Sequence, residues 1–368
     1  MKVLVPAWSF FPAQEGGPSN AIYWMASGLA TAGYDVHVVT TNRYIYDPSI
    51  VFNKWLNLNG FKVIYQTLDN DSQVLFEQIE WCDIMMSNGV CRLIDFYCVL
   101  KALHKGKRVI LSPRGELNDS AIDHKGRVYG TLKRIFFFFM RMSFSKRVEF
   151  HATSDDEAGY VRKYMGKACR LYLVPNYMIL PQHIPSFNQF RNYFLYVGRL
   201  NPIKNIDVLI KGLSESDCFM KSSYVLKIAG EKNNYYDYLK SLCVDLGMEN
   251  KVVFLGMVTG EEKNELYSRA RCLFLVSKSE NFGNVIIEGL AQGTPAIASK
   301  GTPWFCLEQA NAGFWVDATP LSISNAVNAL LMKDDNEYEM MRDSAYSLSR
   351  SFDIYTNLDK WISVLGPV

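Results

Sequence analysis

The 368-residue chain lacks several features that would assign it to a familiar class at once. Its eight cysteines include no C-x-x-C pair, so no zinc or dithiol motif is indicated, and we expect reduced thiols in the cytoplasm. No apolar run reaches the roughly 18 residues of a membrane span, and no secretory leader is expected. The net charge of +2 does not call for a nucleic-acid partner, and the G-x-G-x-x-G dinucleotide fingerprint is missing.

What the chain has is the composition of a globular protein, with 49% hydrophobic and 21% charged residues. Short apolar segments alternate with helical patterns, which predicts parallel sheets with right-handed crossovers. The predicted strands are Val3–Val5, Val36–Thr40, Ile84–Met86, Arg108–Leu111, Val148–Ala152, Leu171–Val174, Tyr193–Val197, Tyr224–Ala229, Val252–Leu255, Cys272–Val276 and Pro295–Ala298.

The alternation is interrupted once, by an irregular polar stretch around residues 180–191 that is typical of a linker. Helices are predicted at Asn20–Thr31 near the start and at 320–331 and 335–350 near the end. We therefore expect an α/β protein with two Rossmann-like domains, 1–180 and 181–350. A C-terminal helix in 351–368 is expected to return to the first domain.

The most informative motif is Ser277–Glu288, which follows a predicted strand and opens a helix. The backbone amides of Gly283, Asn284 and Val285 at the helix start suit a phosphate. Glu280 lies in the loop, and Glu288 could accept hydrogen bonds from vicinal hydroxyls such as those of a ribose. The alternative interpretation is that two acidic residues merely favour a helix N-terminus.

A second motif follows the first strand of the second half. Gly198 permits a tight exit from the strand, and Arg199 and Lys204 are close enough in sequence to reach one diphosphate, Arg as a fork and Lys as a point charge. A solvated strand-to-helix turn remains the alternative.

Weaker signals lie in the first half of the chain. Gly16 and Gly17 precede a helix, where a glycine loop can face a phosphate or an acceptor. Arg114 and Glu116 belong to Ser112–Leu117, again after a strand, and Arg114 is expected to point toward the ligand cleft or to be a surface residue of a turn. His151 ends a strand, and a structural role is favoured for it.

Together, in this order, the motifs resemble those of the retaining GT-B glycosyltransferases of family 4. The resemblance rests on Glu280 to Glu288, spaced as E-x7-E, on Gly198-Arg199-Leu200 with Lys204, and on Gly16-Gly17. It implies two Rossmann-like domains whose parallel sheets face each other across a cleft that holds a nucleoside-diphosphate sugar. It also implies a metal-independent reaction, with neither a metal nor a bound cofactor.

The resemblance assigns roles residue by residue. Glu280, Arg199 and Lys204 are expected to be catalytic, with Glu280 on the transferred sugar and the two cations on the leaving diphosphate. Donor-binding residues are expected at Gly16, Gly17, Gly198, Gly256, Met257, Val258, Phe282, Gly283, Asn284, Val285 and Glu288. Acceptor-side residues are expected at Asn88, Arg114 and Glu116. Many relatives have a His where this chain has Asn88, which could make the same hydrogen bond.

Two further features leave alternatives open. Asp69-Asn70-Asp71 resembles a metal-binding D-x-D, but a solvated loop is the favoured interpretation. Residues 133–147 contain four consecutive Phe flanked by Lys and Arg, which indicates either a helix packed within the first domain or a segment that lies on a membrane surface.

The expected function is transfer of a hexose-like sugar to a hydroxyl of a glycan or lipid-linked acceptor, in surface polysaccharide synthesis at the cytoplasmic face of the membrane. The alternatives are a sugar-nucleotide epimerase of the same architecture and a non-catalytic protein that binds nucleotide sugars.

Overall fold

The structure is a computed structural model that describes residues 1–13, 17–67, 73–123, 126–144, 146–181 and 193–368. These residues form two compact units, the first comprising Met1–Ile179 with Ile354–Val368 and the second Leu180–Asp353. Most of the predicted linker, together with Gly16 and the Asp69–Asp71 segment, lies outside the described residues. Each unit is built on one mainly parallel sheet, so the predicted α/β fold class is confirmed.

The sheet of the first unit has eight strands in the order β3-β4-β2-β1-β5-β6-β7-β8. All neighbouring pairs are parallel except β3 and β4. In chain order the strands are β1 (Lys2–Pro6), β2 (Asp35–Thr41), β3 (Trp55–Leu58), β4 (Phe61–Gln66), β5 (Ile84–Asn88), β6 (Arg108–Ser112), β7 (Glu149–Ala152) and β8 (Arg170–Leu173).

The described part of the first unit contains seven α-helices, and six of them lie between its strands. They are α1 (Gly17–Thr31), α2 (Gln73–Trp81), α3 (Leu93–His104), α4 (Asp119–Asp123), α5 (Arg127–Phe144), α6 (Asp155–Met165) and the C-terminal α15 (Leu358–Leu365). The central strands are almost continuously buried, as expected for parallel strands covered on both faces.

The hairpin formed by β3 and β4 was not predicted. It forms the only antiparallel pair of strands in the described part of the chain, at the edge of the first sheet. Its turn contains Asn59 (φ 45°) and Gly60 (φ 86°), both in the left-handed region that a two-residue hairpin turn requires. The Asn-Gly dipeptide is the sequence signal for this turn.

The second unit has a six-stranded parallel sheet in the order β11-β10-β9-β12-β13-β14. Its strands are β9 (Tyr193–Val197), β10 (Val225–Ala229), β11 (Val252–Gly256), β12 (Cys272–Leu275), β13 (Ala296–Ser299) and β14 (Gly313–Val316). Its α-helices are α7 (Ile206–Ser214), α8 (Asp217–Lys221), α9 (Asn234–Asp245), α10 (Gly260–Ser268), α11 (Asn284–Leu290), α12 (Cys306–Gln309), α13 (Pro320–Leu331) and α14 (Asp335–Arg350). The short edge strand β14 was not predicted.

The strand order of each sheet reverses at its centre. In the second unit, β9 pairs with both β10 and β12. The chain adds β10 and β11 on one side of β9 and then β12, β13 and β14 on the other side. In the first unit, β1 pairs with β2 and β5 in the same manner. Such reversal points leave a crevice at the carboxyl ends of the strands, where ligands of open α/β sheets bind.

The C-terminal segment packs on the first unit. The backbone N–H of Ile354 donates to the carbonyl of Met178 (2.9 Å), and the guanidinium of Arg108 donates to the carbonyls of Val364 and Leu365 (2.6 and 2.8 Å) at the end of α15. Arg108 also pairs with Glu149 on β7 (2.6 Å). A cation that satisfies the last carbonyls of a helix stabilises that helix end, so Arg108 fastens α15 to the sheet.

We predict that Trp361→Ala destabilises the first unit by about 3–5 kcal/mol, because the buried indole packs against the His151 ring (4.8 Å between centroids) and its loss leaves a cavity. Ile362→Ala, on the exposed side of the same helix, is the control and is expected to cost less than about 1 kcal/mol. Urea unfolding followed by circular dichroism measures both. Equal stability losses would show that α15 is not part of the core of the first unit.

Candidate active site

The reversal point of the second sheet brings together the two predicted motifs of that unit. The first follows β9 and contains Arg199 and Lys204, and the second follows β12 and contains Glu280. Because β9 and β12 are paired neighbours, with Tyr196 opposite Phe274, their carboxyl ends lie side by side. The loops are also bonded directly, since the N–H of Lys278 donates to the carbonyl of Ile203 (2.8 Å). This edge of the sheet is the candidate site.

The loop after β9 depends on close backbone contact. Gly198 has a φ of 154°, and its N–H donates to the carbonyl of Ala229 at the end of β10 (2.9 Å). A Cβ at Gly230 would lie 2.2 Å from the carbonyl oxygen of Gly198, so a side chain there would push the two strand ends apart. Glycine is therefore required where these strands end.

A short 3-10 helix, Pro202–Lys204, then turns the chain back toward the sheet. The side chain of Asn201 accepts a hydrogen bond from the N–H of Ile203 (3.0 Å), and Pro202 supplies a φ suited to the first helical position. Asn205 follows in the left-handed conformation (φ 54°), which ends the 3-10 helix and begins α7. Lys204 is consequently held at the end of a rigid turn.

Lys204 and Glu280 form an ion pair across the reversal point. The Nζ of Lys204 donates to Oε2 of Glu280, which also accepts a hydrogen bond from the hydroxyl of Ser277 (3.2 Å). The side chains are only 16% and 17% exposed, so water screens the pair less than it screens a surface pair. The N–H of Glu280 is bonded to the carbonyl of Gly301 (2.9 Å), which fixes the acidic loop.

Tyr196 links Arg199 to this pair. Its buried hydroxyl donates to the carbonyl of Arg199 (3.0 Å). Burial raises the pKa of the Tyr196 phenol, the negative charge of Glu280 raises it further, and the positive charge of Arg199 opposes this. The Tyr196 hydrogen bond fixes the backbone of Arg199 in the loop that leads to Lys204. Arg199 as a whole is an exposed residue.

Helix α11 begins at this site, with Gly283 as its N-cap (φ 87°). A Cβ at Gly283 would lie 2.4 Å from Cδ2 of Leu275, so this position requires glycine for space as well as for backbone conformation. Phe282 points inward, with its ring against Trp304 and Phe352 (5.3 and 6.1 Å between centroids). Its side chain therefore packs the core beneath the loop, and Asn284 beside it is buried too.

Glu288 lies in the second turn of α11 and is buried (8% exposed). Its Oε2 accepts a hydrogen bond from the hydroxyl of Tyr267 (2.7 Å) and pairs with the Nζ of Lys263 (2.7 Å), both from α10. The sequence analysis did not identify Tyr267 or Lys263. They are four residues apart on one helix face, but nothing in that spacing alone indicates a carboxylate partner.

Three predicted donor residues lie at the end of β11, the edge strand that pairs with β10. Gly256 ends that strand with a φ of 79° and open space on the side where a Cβ would lie. Met257 is 47% exposed and Val258 is buried. Val285, on the first turn of α11, is partly exposed. Gly256, Met257 and Val258 thus lie at the same carboxyl edge of the sheet as the loops that carry Lys204 and Glu280.

The predicted acceptor-side residues lie at the corresponding edge of the first unit. Asn88 is the last residue of β5, is buried, and donates from Nδ2 to the carbonyls of Met86 and Pro6 (3.1 and 3.3 Å). Its Oδ1 accepts from Nε of Arg114 (2.9 Å). Arg114 also donates to Asn176 (3.1 Å), so the three side chains form one chain of hydrogen bonds.

Arg114 has a φ of 54°, an uncommon conformation for a residue with a side chain. Burial lowers the pKa of its guanidinium to about 10, and the negative charge of Glu157 offsets part of that effect. Glu157, on α6, accepts from the N–H of Gly115 (2.7 Å) and from the N–H of Thr153 (2.8 Å). The sequence analysis did not identify Glu157 as part of this edge.

Glu116 is bonded to the backbone of the loop that follows β5. Its Oε2 accepts hydrogen bonds from the N–H groups of Val90 and Cys91 (2.5 and 2.9 Å), directly after β5. It thus stabilises the turn that leads into α3. Gly17, the described member of the glycine pair, is the first residue of α1.

His151 is a structural residue, as favoured from the sequence. Its Nδ1 is bonded to the hydroxyl of Ser112 (2.8 Å) and its Nε2 to the carbonyl of Val174 (2.8 Å). Burial and the positive charge of Arg114 lower the pKa of the imidazole to about 3, so the ring is neutral. Across the described residues, no three His, Cys, Asp or Glu side chains are grouped as a metal site would need.

Comparisons with known proteins bear on the same elements. Residues 183–348 match the family model described as Glycosyl transferases group 1. This match covers nearly all of the second unit, including Arg199, Lys204, Glu280 and Glu288, but less than half of the chain. A segment of 139 residues is 37% identical to an uncharacterized glycosyltransferase of Methanocaldococcus jannaschii, covering 37% of this chain and 35% of that protein. The match thus spans about a third of the relative's length.

Solved structures establish the GT-B fold over the whole chain. The sucrose-phosphate synthase of Thermosynechococcus elongatus superimposes with a TM-score of 0.76 at 17% identity, covering 99% of this chain and 98% of that one. The Anabaena protein HepE, solved with UDP and glucose, superimposes with a TM-score of 0.73 at 15% identity and covers all of both chains. The prediction of two Rossmann-like domains of GT-B type is confirmed.

We predict that His151 makes the first unit sensitive to acid. The folded pKa of about 3 lies below the usual 6.5 of an unfolded His, so its contribution is complete above pH 6.5 and is lost as the pH falls toward 3. Unfolding takes up one proton in this window, at about 1.4 kcal/mol per pH unit, or about 2 kcal/mol by pH 5.

Urea unfolding between pH 7.5 and 5 tests this. His151→Asn is expected to show a shallower loss of stability with acid than the wild type, whereas the exposed His104→Asn control keeps the wild-type slope. Parallel pH profiles for the wild type and His151→Asn would contradict the buried neutral imidazole.

Proposed function

We propose that this protein is a retaining glycosyltransferase that moves a hexose-like sugar from a nucleoside-diphosphate sugar to a hydroxyl of a glycan or lipid-linked acceptor. The observation that carries the proposal is the Lys204–Glu280 pair at the reversal point of the second sheet, with Arg199 in the same loop as Lys204. This pair lies inside the segment that matches the glycosyltransferase family model. A place in surface polysaccharide synthesis in the cytoplasm is part of the same proposal.

The ion pair explains how the donor would be bound. Without an anion, the charge of Lys204 is balanced by Glu280, and neither group is a partly buried charge without a partner. A diphosphate at the strand edge would attract Lys204 and Arg199. Glu280 would then be left as an acceptor for hydroxyl groups of the sugar attached to that diphosphate. Binding of the donor would thus exchange the Lys204–Glu280 pair for a pairing of Lys204 with the diphosphate, at little electrostatic cost.

The same cations would act on the reaction itself. When the bond between the sugar and the diphosphate breaks, negative charge develops on the leaving oxygens and the sugar becomes oxocarbenium-like. Arg199 and Lys204, whose backbone is held by the Tyr196 hydrogen bond and the 3-10 turn, would stabilise that charge. In this proposal they take the place of a metal ion. Retention follows if the departing phosphate receives the acceptor's proton on the same face.

Glu288 is proposed to bind the ribose of the donor. Both of its contacts, from Tyr267 and Lys263, use Oε2, and no contact to Oε1 is present among the described residues. A carboxylate held by two partners on one oxygen can offer the other to a hydroxyl. HepE contains UDP and glucose in its structure, which supports a nucleoside-diphosphate hexose as the donor class for this chain.

The two alternative functions differ in their products. An epimerase would convert the donor without an acceptor, whereas a transferase requires one. A non-catalytic binding protein would bind the donor and release no nucleotide with any acceptor. Asn88 bears on the last alternative, because its side chain is bonded to Pro6, Met86 and Arg114 at the position where many members of the resembled family have a His.

We predict that Lys204→Ala and Glu280→Ala each lower turnover more than 100-fold, or about 2.7 kcal/mol of transition-state stabilisation. Donors are first chosen by thermal shift against a panel of nucleotide sugars, since a bound ligand raises apparent stability. Nucleotide release with an acceptor panel is then measured for each variant. Lys221→Ala is the matched control, because Lys221 is an exposed lysine that pairs with Asp217 in the same unit.

The melting temperature of each variant establishes that it is folded. Near-normal turnover in folded Lys204→Ala and Glu280→Ala would refute the proposed site. Product formed from the donor alone would favour the epimerase. A donor-dependent thermal shift without turnover across the acceptor panel would favour the binding protein.

A further inference from the structure

Helix α5 has two apolar faces, and only one of them is covered. The inner face consists of Gly130, Phe137, Met140 and Phe144, all buried in the core of the first unit. The ring of Phe137 packs against Tyr164 on α6 (5.5 Å between centroids). Packing within the first domain, one of the two interpretations of residues 133–147, therefore applies to only one face of this helix. The opposite half is also apolar and lies on the surface.

The outer face is a regular stripe. It is formed by five apolar residues at intervals of four, three, four and three, which places them on one line of an α-helix. All five are exposed, by 79%, 60%, 49%, 60% and 70% in chain order: Val128, Leu132, Ile135, Phe139 and Met142. Phe138, 58% exposed, adjoins the stripe. Single exposed apolar residues are common on protein surfaces, but a continuous stripe of this length marks an interaction site.

A row of arginines follows one edge of the stripe. Arg127, Arg134 and Arg141 are spaced by seven residues, so they lie almost in line along the helix. Arg134 is paired with Asp123 through both of its terminal nitrogens (2.7 Å each). Arg127 and Arg141 are exposed, and exposed Lys146 and Arg147 continue the positive charge beyond the helix end.

We propose that the outer face of α5 binds to an anionic lipid surface, with the helix lying flat in the interface. The apolar stripe would enter the boundary between headgroups and acyl chains, and the arginine row would contact anionic headgroups. The helix is about 27 Å long at 1.5 Å per residue, and it is fixed to the unit by its inner face. In the described part of the chain, no helix has the length and hydropathy needed to cross a bilayer.

The charge pattern selects lipid over a second copy of this chain. In a two-fold contact through this stripe, antiparallel helices would place the two rows of arginines side by side, and parallel helices would place the two Lys146-Arg147 ends side by side. Like charges at a desolvating contact repel in either case. An anionic membrane instead complements both the stripe and its edge. This inference does not depend on the proposed transferase activity, because it concerns only α5.

The test is vesicle co-sedimentation of the full chain with phosphatidylcholine vesicles that contain 30% phosphatidylglycerol, and with pure phosphatidylcholine vesicles. The wild type is expected to bind the anionic vesicles at least tenfold more strongly than the neutral ones, and less strongly at high salt. Met142→Asp is expected to lower binding to anionic vesicles at least tenfold. Met340→Asp on α14 is the matched control, since both methionines are 70% exposed and both changes add one negative charge.

Met340→Asp is expected to keep wild-type binding, and equal melting temperatures for both variants would show that neither disturbs the fold. Absence of wild-type binding to anionic vesicles would overturn the proposal, as would equal losses in Met142→Asp and Met340→Asp. Sedimentation velocity tests the alternative that the stripe mediates self-association. A wild-type dimer that Met142→Asp dissociates would assign the stripe to self-association and overturn the proposal.

Discussion

The second unit depends on one ion pair that spans the place where its sheet reverses direction. Lys204 and Glu280 come from loops that are 76 residues apart in sequence, yet the pairing of β9 with β12 brings their backbones side by side. The pair is partly buried, so each charge would be costly without the other. That mutual dependence holds the two loops in one arrangement in the absence of ligand and keeps two groups of opposite charge ready for a ligand that carries both phosphates and hydroxyls.

Backbone geometry determines which residue types fit around the Lys204–Glu280 pair. Gly230 and Gly283 permit the strand ends and the start of α11 to approach more closely than a side chain would allow, and Gly198 supplies a backbone conformation with positive φ. Tyr196 and Asn201 then fix the course of the loop after β9. The backbone that carries Arg199 and Lys204 is therefore positioned by groups that do not themselves need to touch a ligand.

The corresponding edge of the first unit is organised differently. Its polar side chains are bonded mainly to one another and to the backbone: Asn88 with Arg114, Glu116 with the turn after β5, and Glu157 with two further loops. Such a network maintains the shape of the strand ends. The helical surface of the same unit carries the second distinctive feature, an amphipathic helix whose inner apolar face anchors it and whose outer apolar face remains exposed.

Local patterns in the sequence were sufficient for most of the strands, the two-unit division and the motifs after β9 and β12, because the alternation of apolar strands with helices is a property of neighbouring residues. The β3–β4 hairpin was signalled by Asn59-Gly60, whereas β14 is a four-residue edge strand with little pattern of its own. The partners of Glu288, the inward turn of Phe282 and the engagement of Glu116 depended on which elements pack together, and sequence spacing does not specify that. The sequence by itself determined which charged and glycine residues follow the strands. Only the tertiary structure decided which of them meet, because strand order places distant loops side by side.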